Sequence, residues 1–505
     1  MRLMLGIDLG TSGCKCAVLD EHLVIHDTQT VHYEEPPFTE KPGWYEHEAG
    51  FWWDGVVQCV AAITARLGPD AEIGGIGLSG QMHGLVALDK DRQVIRPAII
   101  SIDSRNEAQC RRIYELAGGY EGVYRYTNNR MIPSATAAKM LWMLDNEPAR
   151  FERTRVVVNP KDYIRLRLTG EVATDVSDAS GTGVFDVKER RWNEELIRLI
   201  GLSPALFAQP LESTDVAGTL LPLAAEAMGL KAGIPVVAGG GDAIIQTIAT
   251  GALRPGEYGI GLGTGSVIGA SLDAFYPNDD TLQIYCSCIK GRYLAYSGML
   301  SAGTALDWLR DMLFTGEADV AGRVSRPVYD LINNEAGQVP PGSENLLFYP
   351  MLIGQRSPVE DAFAKGAYIG LTPHHGKRHL ARALMEGVIY GMRDISRLFE
   401  KMHGPVQRIH TIAGGAASEL WCQIMADVFD AEVVRPENYL QGGGVGAAMV
   451  AGVGIGVFGS IEDAAAQLKI GARFEPVPAH VEKYRAMLEV YRKVYPANAE
   501  IFHYL

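Results

Sequence analysis

The chain has 505 residues, 47% of them apolar and 21% charged, with a formal net charge of −14 at pH 7. That composition belongs to a globular protein with material for two cores, and its acidity argues against nucleic acid or an acidic membrane surface as a partner. No apolar run approaches the roughly 20 residues that span a bilayer.

Taken in order, Met1-Arg2-Leu3-Met4-Leu5 leads straight into a strand pattern, leaving no room for a signal peptide and placing the chain in the cytoplasm. Leu3, Leu5 and Ile7 alternate as a strand, Gly10-Thr11-Ser12-Gly13 reads as a tight turn, and Cys16 to Leu19 returns. Leu23 to Thr30 extends this into a meander. Trp53, Val56, Val57, Val60, Ile63 and Leu67 recur at helical spacing within Glu48 to Leu67. The apolar strand Ile73 to Leu78 ends in Ser79-Gly80-Gln81-Met82-His83-Gly84, so Gln81, Met82 and His83 stand where α/β proteins present ligand-binding groups. Asp103 and Arg105 follow the run Ile95 to Ile102; they either bind substrate hydroxyls or form a local pair. Arg105 to Leu168 has a charged, helical pattern and reads as an insertion into the first domain.

The strand Pro235-Val236-Val237 runs through Ala238 and three consecutive glycines to Asp242. Such a run is costly in chain entropy unless something needs the space, and the carboxylate at its end reads as a general base. The first turn then returns: Gly6-Ile7-Asp8-Leu9-Gly10-Thr11-Ser12-Gly13 matches Gly259-Ile260-Gly261-Leu262-Gly263-Thr264-Gly265-Ser266 at five of eight positions, about half a chain later. The duplication predicts two related domains facing each other, with Gly10, Thr11, Ser12, Gly263 and Thr264 offering backbone N–H groups and hydroxyls to phosphates. Asp8 has no counterpart at Gly261, so it reads as the single carboxylate that holds magnesium through water. Downstream, Ser301-Ala302-Gly303-Thr304-Ala305 opens a helix over Leu306 to Leu313 whose free N–H groups suit a phosphate. Ile409 to Ile412 runs into Ala413-Gly414-Gly415, a bare turn able to receive adenine, before a helix over Glu419 to Phe429. Gly442 to Gly446 reads as support for close helix packing. The seven cysteines include two C-x-C pairs, Cys14/Cys16 and Cys286/Cys288, expected to line strand faces as buried thiols. They lack zinc-type spacing and fit a reducing compartment.

These motifs, in this order, resemble the FGGY family of carbohydrate kinases, of the actin/hexokinase/heat-shock-70 ATPase superfamily, and within it xylulokinases most. The marks are GIDLGTSG at the start, GLSGQMHG at 77–84, NPKDYIRLRLTG at 159–170, GGGD at 239–242, LGTG at 262–265, GQRSP at 354–358, KGAYIGLT at 365–372 and AGGAASELW at 413–421. The resemblance implies an α/β fold of two ribonuclease-H-like domains flanking a cleft, expected at 1–245 and 246–505, and ATP-dependent phosphorylation of a ketose, D-xylulose first. It implies Asp8 at the metal, Thr11 and Thr264 at phosphates, Gly303 near them, Gly415 at adenosine, Met82 and His83 at the ketose, and Asp242 as base. Homodimers are common in the family. The chain departs from xylulokinases at Ser101-Ile102-Asp103, where Trp-Asn-Asp is usual, at Ala243, where Asn is usual, and at Gln355, where Glu is common. Another pentulose, a related ketose or a polyol therefore stays open as substrate, as do an actin-like ATPase and a non-catalytic sugar sensor.

Overall fold

The computed structural model describes residues 2–68, 71–277, 282–324 and 327–505. Two seven-stranded sheets organise it. The first is built from β1 (Leu3–Leu9), β2 (Gly13–Leu19), β3 (Ile25–His32), β4 (Ile73–Gly80), β5 (Val216–Thr219), β6 (Pro235–Val237) and β7 (Gly240–Gly241), in the order β5-β6-β4-β1-β2-β3 with β7 also on β4. The second holds β8 (Glu257–Leu262), β9 (Ser266–Leu272), β10 (Gln283–Cys286), β11 (Tyr293–Met299), β12 (Arg408–Ile412), β13 (Glu432–Pro436) and β14 (Ile470–Phe474), in the order β10-β11-β9-β8-β12-β13-β14. Each sheet has an antiparallel hairpin, β1–β2 or β8–β9, whose first strand also pairs in parallel with the next strand inward, β4 or β12. The sequence duplication is thus a structural one.

Alternation along β1 decides which groups face where. Leu3, Leu5, Ile7 and Leu9 pack with Cys14, Cys16 and Val18 of β2 against Trp52, Val56, Cys59, Val60 and Ile63 of α1 (Ala49–Leu67). Met4 and Ala17 face the other way, into a core shared with α7 (Gly442–Gly454), which leaves Asp8 on that inner face too. Between α1 and α7 along the chain come α2 (Pro160–Thr169), α3 (Asp242–Thr250), α4 (Gly303–Leu313), α5 (Lys377–His403) and α6 (Glu419–Phe429). Of the expected insertion at 105–168, the part up to about residue 157 has its own core around Ile113, Met140 and Leu141, whereas Tyr163, Ile164, Leu166 and Leu168 of α2 pack into the core of the first sheet.

α7 and α3 are exchanged between the halves of the molecule. α7 comes late in the chain yet lies on β1, β2 and β4, while α3 packs against Gly259 and Gly269 of the second sheet. Glycines make the first contact possible: a Cβ on Gly6 or Gly77 would stand 1.9 Å from the carbonyl oxygen of Gly444 or Ala447. The expected division at 245/246 falls inside α3. No helix among the described residues is long and apolar enough to cross a membrane.

Candidate active site

A cavity of about 660 Å³ opens between the halves. Asp8 and Lys15 reach it from the first hairpin, Gly263 and Thr264 from the second, Gly303 from α4, Gly414 and Gly415 from the turn after β12, and Gly442 to Gly444 from α7. Tyr329, Trp421 and Tyr439 add aromatic surface. No heavy atom approaches within 4 Å of where a Gly414 Cβ would stand, so this turn presents bare backbone to the hollow. A larger hollow of about 800 Å³ lies between α1 and residues 228–235; its charged lining residues are Arg2, Glu72 and Lys231.

One expectation about phosphate contacts needs correction. The first N–H groups of α4 are not free: Gly303 N donates to Gly263 O at 2.9 Å, and Thr304 N donates to Thr264 O at 3.0 Å. They tie the second hairpin to the helix, because the first turn of a helix satisfies its spare donors wherever acceptors lie close. The first hairpin contributes Asp8 and Lys15 to the cavity rather than its tip. Gly10 and half-buried Thr11 stand outside the lining with exposed Ser12, and Gly10 N is bound to Gly13 O at 3.0 Å.

Asp8 is half-buried on β1 and accepts a 2.6 Å hydrogen bond at Oδ1 from Ser79 Oγ. A Cβ on Gly443 would lie 2.1 Å from its Oδ2, so the carboxylate fits against the N-terminal turn of α7 only because glycine is there. Burial raises its pKa, opposed by the Ser79 hydrogen bond and by Lys15, which faces it across the hairpin. Asp242 is the first residue of α3, half-buried, with Oδ1 accepting from Ala243 N at 2.8 Å. Burial and then the negative charge of Asp8 push its pKa up to about 7. Two carboxylates close enough to repel, with Asp8 Oδ2 bonded to no described residue, fit a divalent cation between them and a co-substrate.

The sugar-side groups gather beside Asp242. Met82 covers Gly241, where a Cβ would stand 2.6 Å from Met82 Cγ. Gln81 is 2% exposed, and its Oε1 has no hydrogen-bond partner among the described residues. His83 sits at φ 64°, a strained position for a residue with a side chain. Its Nδ1 donates to Gly181 O at 2.9 Å, so Nε2 is left as an acceptor. Burial lowers its pKa to about 4, with Lys139 and Arg356 adding to the effect, and the imidazole is neutral at pH 7. Tyr285 lies 6.4 Å from the His83 ring, and the charges of Asp242 and Arg356 act on both Tyr285 and Tyr296. Arg356 is exposed and forms no hydrogen bond or ion pair among the described residues.

Asp103 does not join them. Its carboxylate is fully buried, held by Arg105 Nε at 2.9 and 3.0 Å, Arg105 N at 2.9 Å and Tyr45 N at 2.6 Å. The local ion pair is the reading the structure supports, since no acceptor is left for a substrate. Gln355 is likewise buried and bonded to Tyr349, so that departure from the xylulokinase pattern touches the scaffold of the Arg356 loop.

Sequence reasoning missed several groups. Lys15 was legible in principle, because a two-strand register puts it opposite Asp8. Ser177 was not: its Oγ accepts from Gly241 N at 3.1 Å and donates to Asp175 Oδ2 at 2.5 Å, while Lys161 meets Asp175 at 2.9 Å. This network, entirely buried, fixes the peptide that precedes Asp242. Tyr285, Tyr296 and Arg356 come from strands and a loop far along the chain.

Two duplicated sheets around a cleft with glycine-rich turns on one side and carboxylates at its floor define a sugar kinase of the actin/hexokinase ATPase type. Residues 3–249 match the N-terminal domain, and residues 260–455 the C-terminal domain, of the FGGY family of carbohydrate kinases. The chain belongs to that family. It is 33% identical to the xylulose kinase of Bacillus subtilis (strain 168), covering 99% of this chain and 98% of that one. It is 30% identical to the gluconokinase of the same organism, covering 97% and 94%. The crystal structure of xylulose kinase from Rhodospirillum rubrum superposes with a TM-score of 0.88 at 28% identity, over 99% of this chain and all of that one. The protein is therefore a phosphotransferase acting on a carbohydrate.

Proposed function

We propose that the chain transfers the γ-phosphoryl group of ATP to a ketose, D-xylulose giving D-xylulose 5-phosphate, in the cytoplasm. The carrying observation is the pair of carboxylates: Asp8 lines the glycine-rich cavity, and its charge acts on Asp242, which follows the Gly241 that Met82 covers. In this reading residues 1–245 supply the base and sugar groups and 246–505 most of the nucleotide groups, with Asp8 crossing over. Asp242, with a pKa near 7, takes the proton of the C5 hydroxyl as that oxygen attacks. Neutral His83 accepts a sugar hydroxyl at Nε2, Gln81 Oε1 accepts a second, and Met82 gives an apolar floor. Lys15 and the Gly263–Thr264 turn lie along the phosphates, and the bare Gly414–Gly415 turn suits adenine. Asp8 would hold magnesium, which would supply charge neutralisation for the transferring group. Closure of the two halves keeps water from competing for the phosphoryl group.

A second reading rests on Arg356. An unpaired guanidinium beside the sugar pocket also suits a carboxylate, and a gluconokinase is among the relatives. ADP release measured against D-xylulose, other ketoses, gluconate and polyols separates the readings. D-xylulose is expected to give the highest kcat/KM. Highest kcat/KM with gluconate favours the second reading, sugar-independent release an ATPase, and silence with every sugar a sensor.

A further inference from the structure

Beneath the first hairpin lies a cluster that the phosphoryl transfer does not use. Cys14 and Cys16 are alternate residues of β2, so their side chains leave the sheet on one face, and α1 covers that face with Cys59. The Sγ atoms of Cys14 and Cys16 stand 3.8 Å apart, and the three sulfurs all lie within 4.8 Å of one another. Each residue is 1% exposed or less, and none forms a disulfide. The Cys59 thiol, a weak donor, also meets Gln29 O at 3.1 Å and Cys14 O at 3.8 Å. A single buried cysteine is ordinary core filling. Three with their sulfurs converging from two elements make a preformed trigonal ligand set.

We infer that Cys14, Cys16 and Cys59 form a binding site for one soft, thiophilic ion, of which trivalent arsenic is the best match. An ion held by three sulfurs at about 2.3 Å sets them roughly 3.5–4 Å apart. The Cys14–Cys16 pair already has that spacing, and Cys59 has a short distance to close. Hard cations are excluded, because sulfur is the wrong donor for them. Charge then selects among the soft ones. Three thiolates around a monovalent or divalent ion leave a net negative charge in a fully buried site, which is costly without a counter-charge. The charged groups near the cluster are Asp8, which is negative, and Arg66, which is already paired with Asp27 at 2.7 Å. Trivalent arsenic avoids that cost. Arsenous acid and three thiols give a neutral tris-thiolate and three waters: three As–O and three S–H bonds break, three As–S and three O–H bonds form, and nothing is oxidised or reduced.

The site also has a reach. Cys14 pairs with Leu9 and Cys16 with Ile7, on either side of the Lys15–Asp8 pair. Loading the triad ties β2 to α1 directly behind the carboxylate on the cleft.

The test uses the whole reduced protein, incubated with sodium arsenite and desalted. Arsenic is measured by elemental analysis, and free thiols are counted after unfolding. One arsenic per chain is expected, with free thiols falling from the seven of the sequence to four. Cys59→Ala and Cys16→Ala should each retain under roughly a tenth of that arsenic, and Cys110→Ala all of it. Alkylation mapping of the loaded wild type should find Cys14, Cys16 and Cys59 protected, which decides the matter even if a variant fails to fold. Less than a tenth of an arsenic per wild-type chain, undiminished arsenic in Cys59→Ala, or protection of Cys286 and Cys288 instead would overturn the inference. None of these readouts depends on kinase activity, so failure here leaves the proposed reaction standing, and the reverse.

Discussion

The two hairpins share five of eight residues and the same place in their sheets, yet they act differently on the cleft. The second, β8–β9, presents its tip: Gly263 and Thr264 line the cavity, and their carbonyls are pinned to the first turn of α4. The first, β1–β2, presents its middle: Asp8 and Lys15 reach the cavity, while Ser12 at its tip is exposed outside it. The difference lies in what packs behind each. α7, whose run of glycines comes close to the backbone of β1, receives the Asp8 carboxylate against Gly443. A duplicated backbone has become a rigid glycine wall on one side and a charged floor on the other, with one changed position, Asp8 against Gly261, marking the split.

That contrast can be broken from either side. Asp8→Asn should lower kcat by about 10² or more, through lost charge stabilisation of the transferring group, and flatten the magnesium titration. An unchanged titration would remove Asp8 from the metal. Gly443→Ala puts a methyl 2.1 Å from Asp8 Oδ2, so kcat should fall more than tenfold while the affinity for ATP changes less. Equal losses in both would mean that α7 had simply shifted. Arg356→Ala should raise the sugar KM about tenfold, some 1.4 kcal/mol, and leave the ATP KM alone. A KM for ATP that moves with it would place this side chain on the wrong side of the cleft. The smallest effect is on pH. Asp242 must be ionised to accept a proton, so kcat/KM for sugar should rise with pH through a midpoint near 7, where burial and Asp8 have set its pKa, and level off above it. In Asp8→Asn the midpoint should move to lower pH, because the repelling charge is gone. A midpoint that stays near 7 would dissociate the two carboxylates.

Much of this was legible in the chain. Strands with period two and α1 with period 3.6 carry their burial pattern locally, and the GGGD run announced Asp242 because three glycines need a reason. What escaped depends on distant partners. The exchange of α3 and α7 between sheets leaves no local trace. The donors of α4 looked free because the carbonyls that take them lie some 40 residues earlier. Asp103 looked like a ligand group until Arg105 and two backbone N–H groups were seen to use up its oxygens. The C-x-C pair on β2 lacked zinc spacing, and its third sulfur comes from a helix some 45 residues on.

The central claim is that Asp242 is a carboxylate held uncomfortably in the cleft in order to take a proton from the sugar. Its raised pKa means that ionisation between the unfolded and folded values weakens the fold, a penalty complete above pH 7 and absent below about pH 4. The direct measurement is Asp242→Asn, assayed for sugar-dependent ADP release at pH 8 and melted at pH 8 and pH 4. The account predicts turnover down by about 10³, with stability raised by about 1–2 kcal/mol at pH 8 and little changed at pH 4. Turnover within tenfold of the wild type, or a variant less stable than the wild type at pH 8, would contradict it.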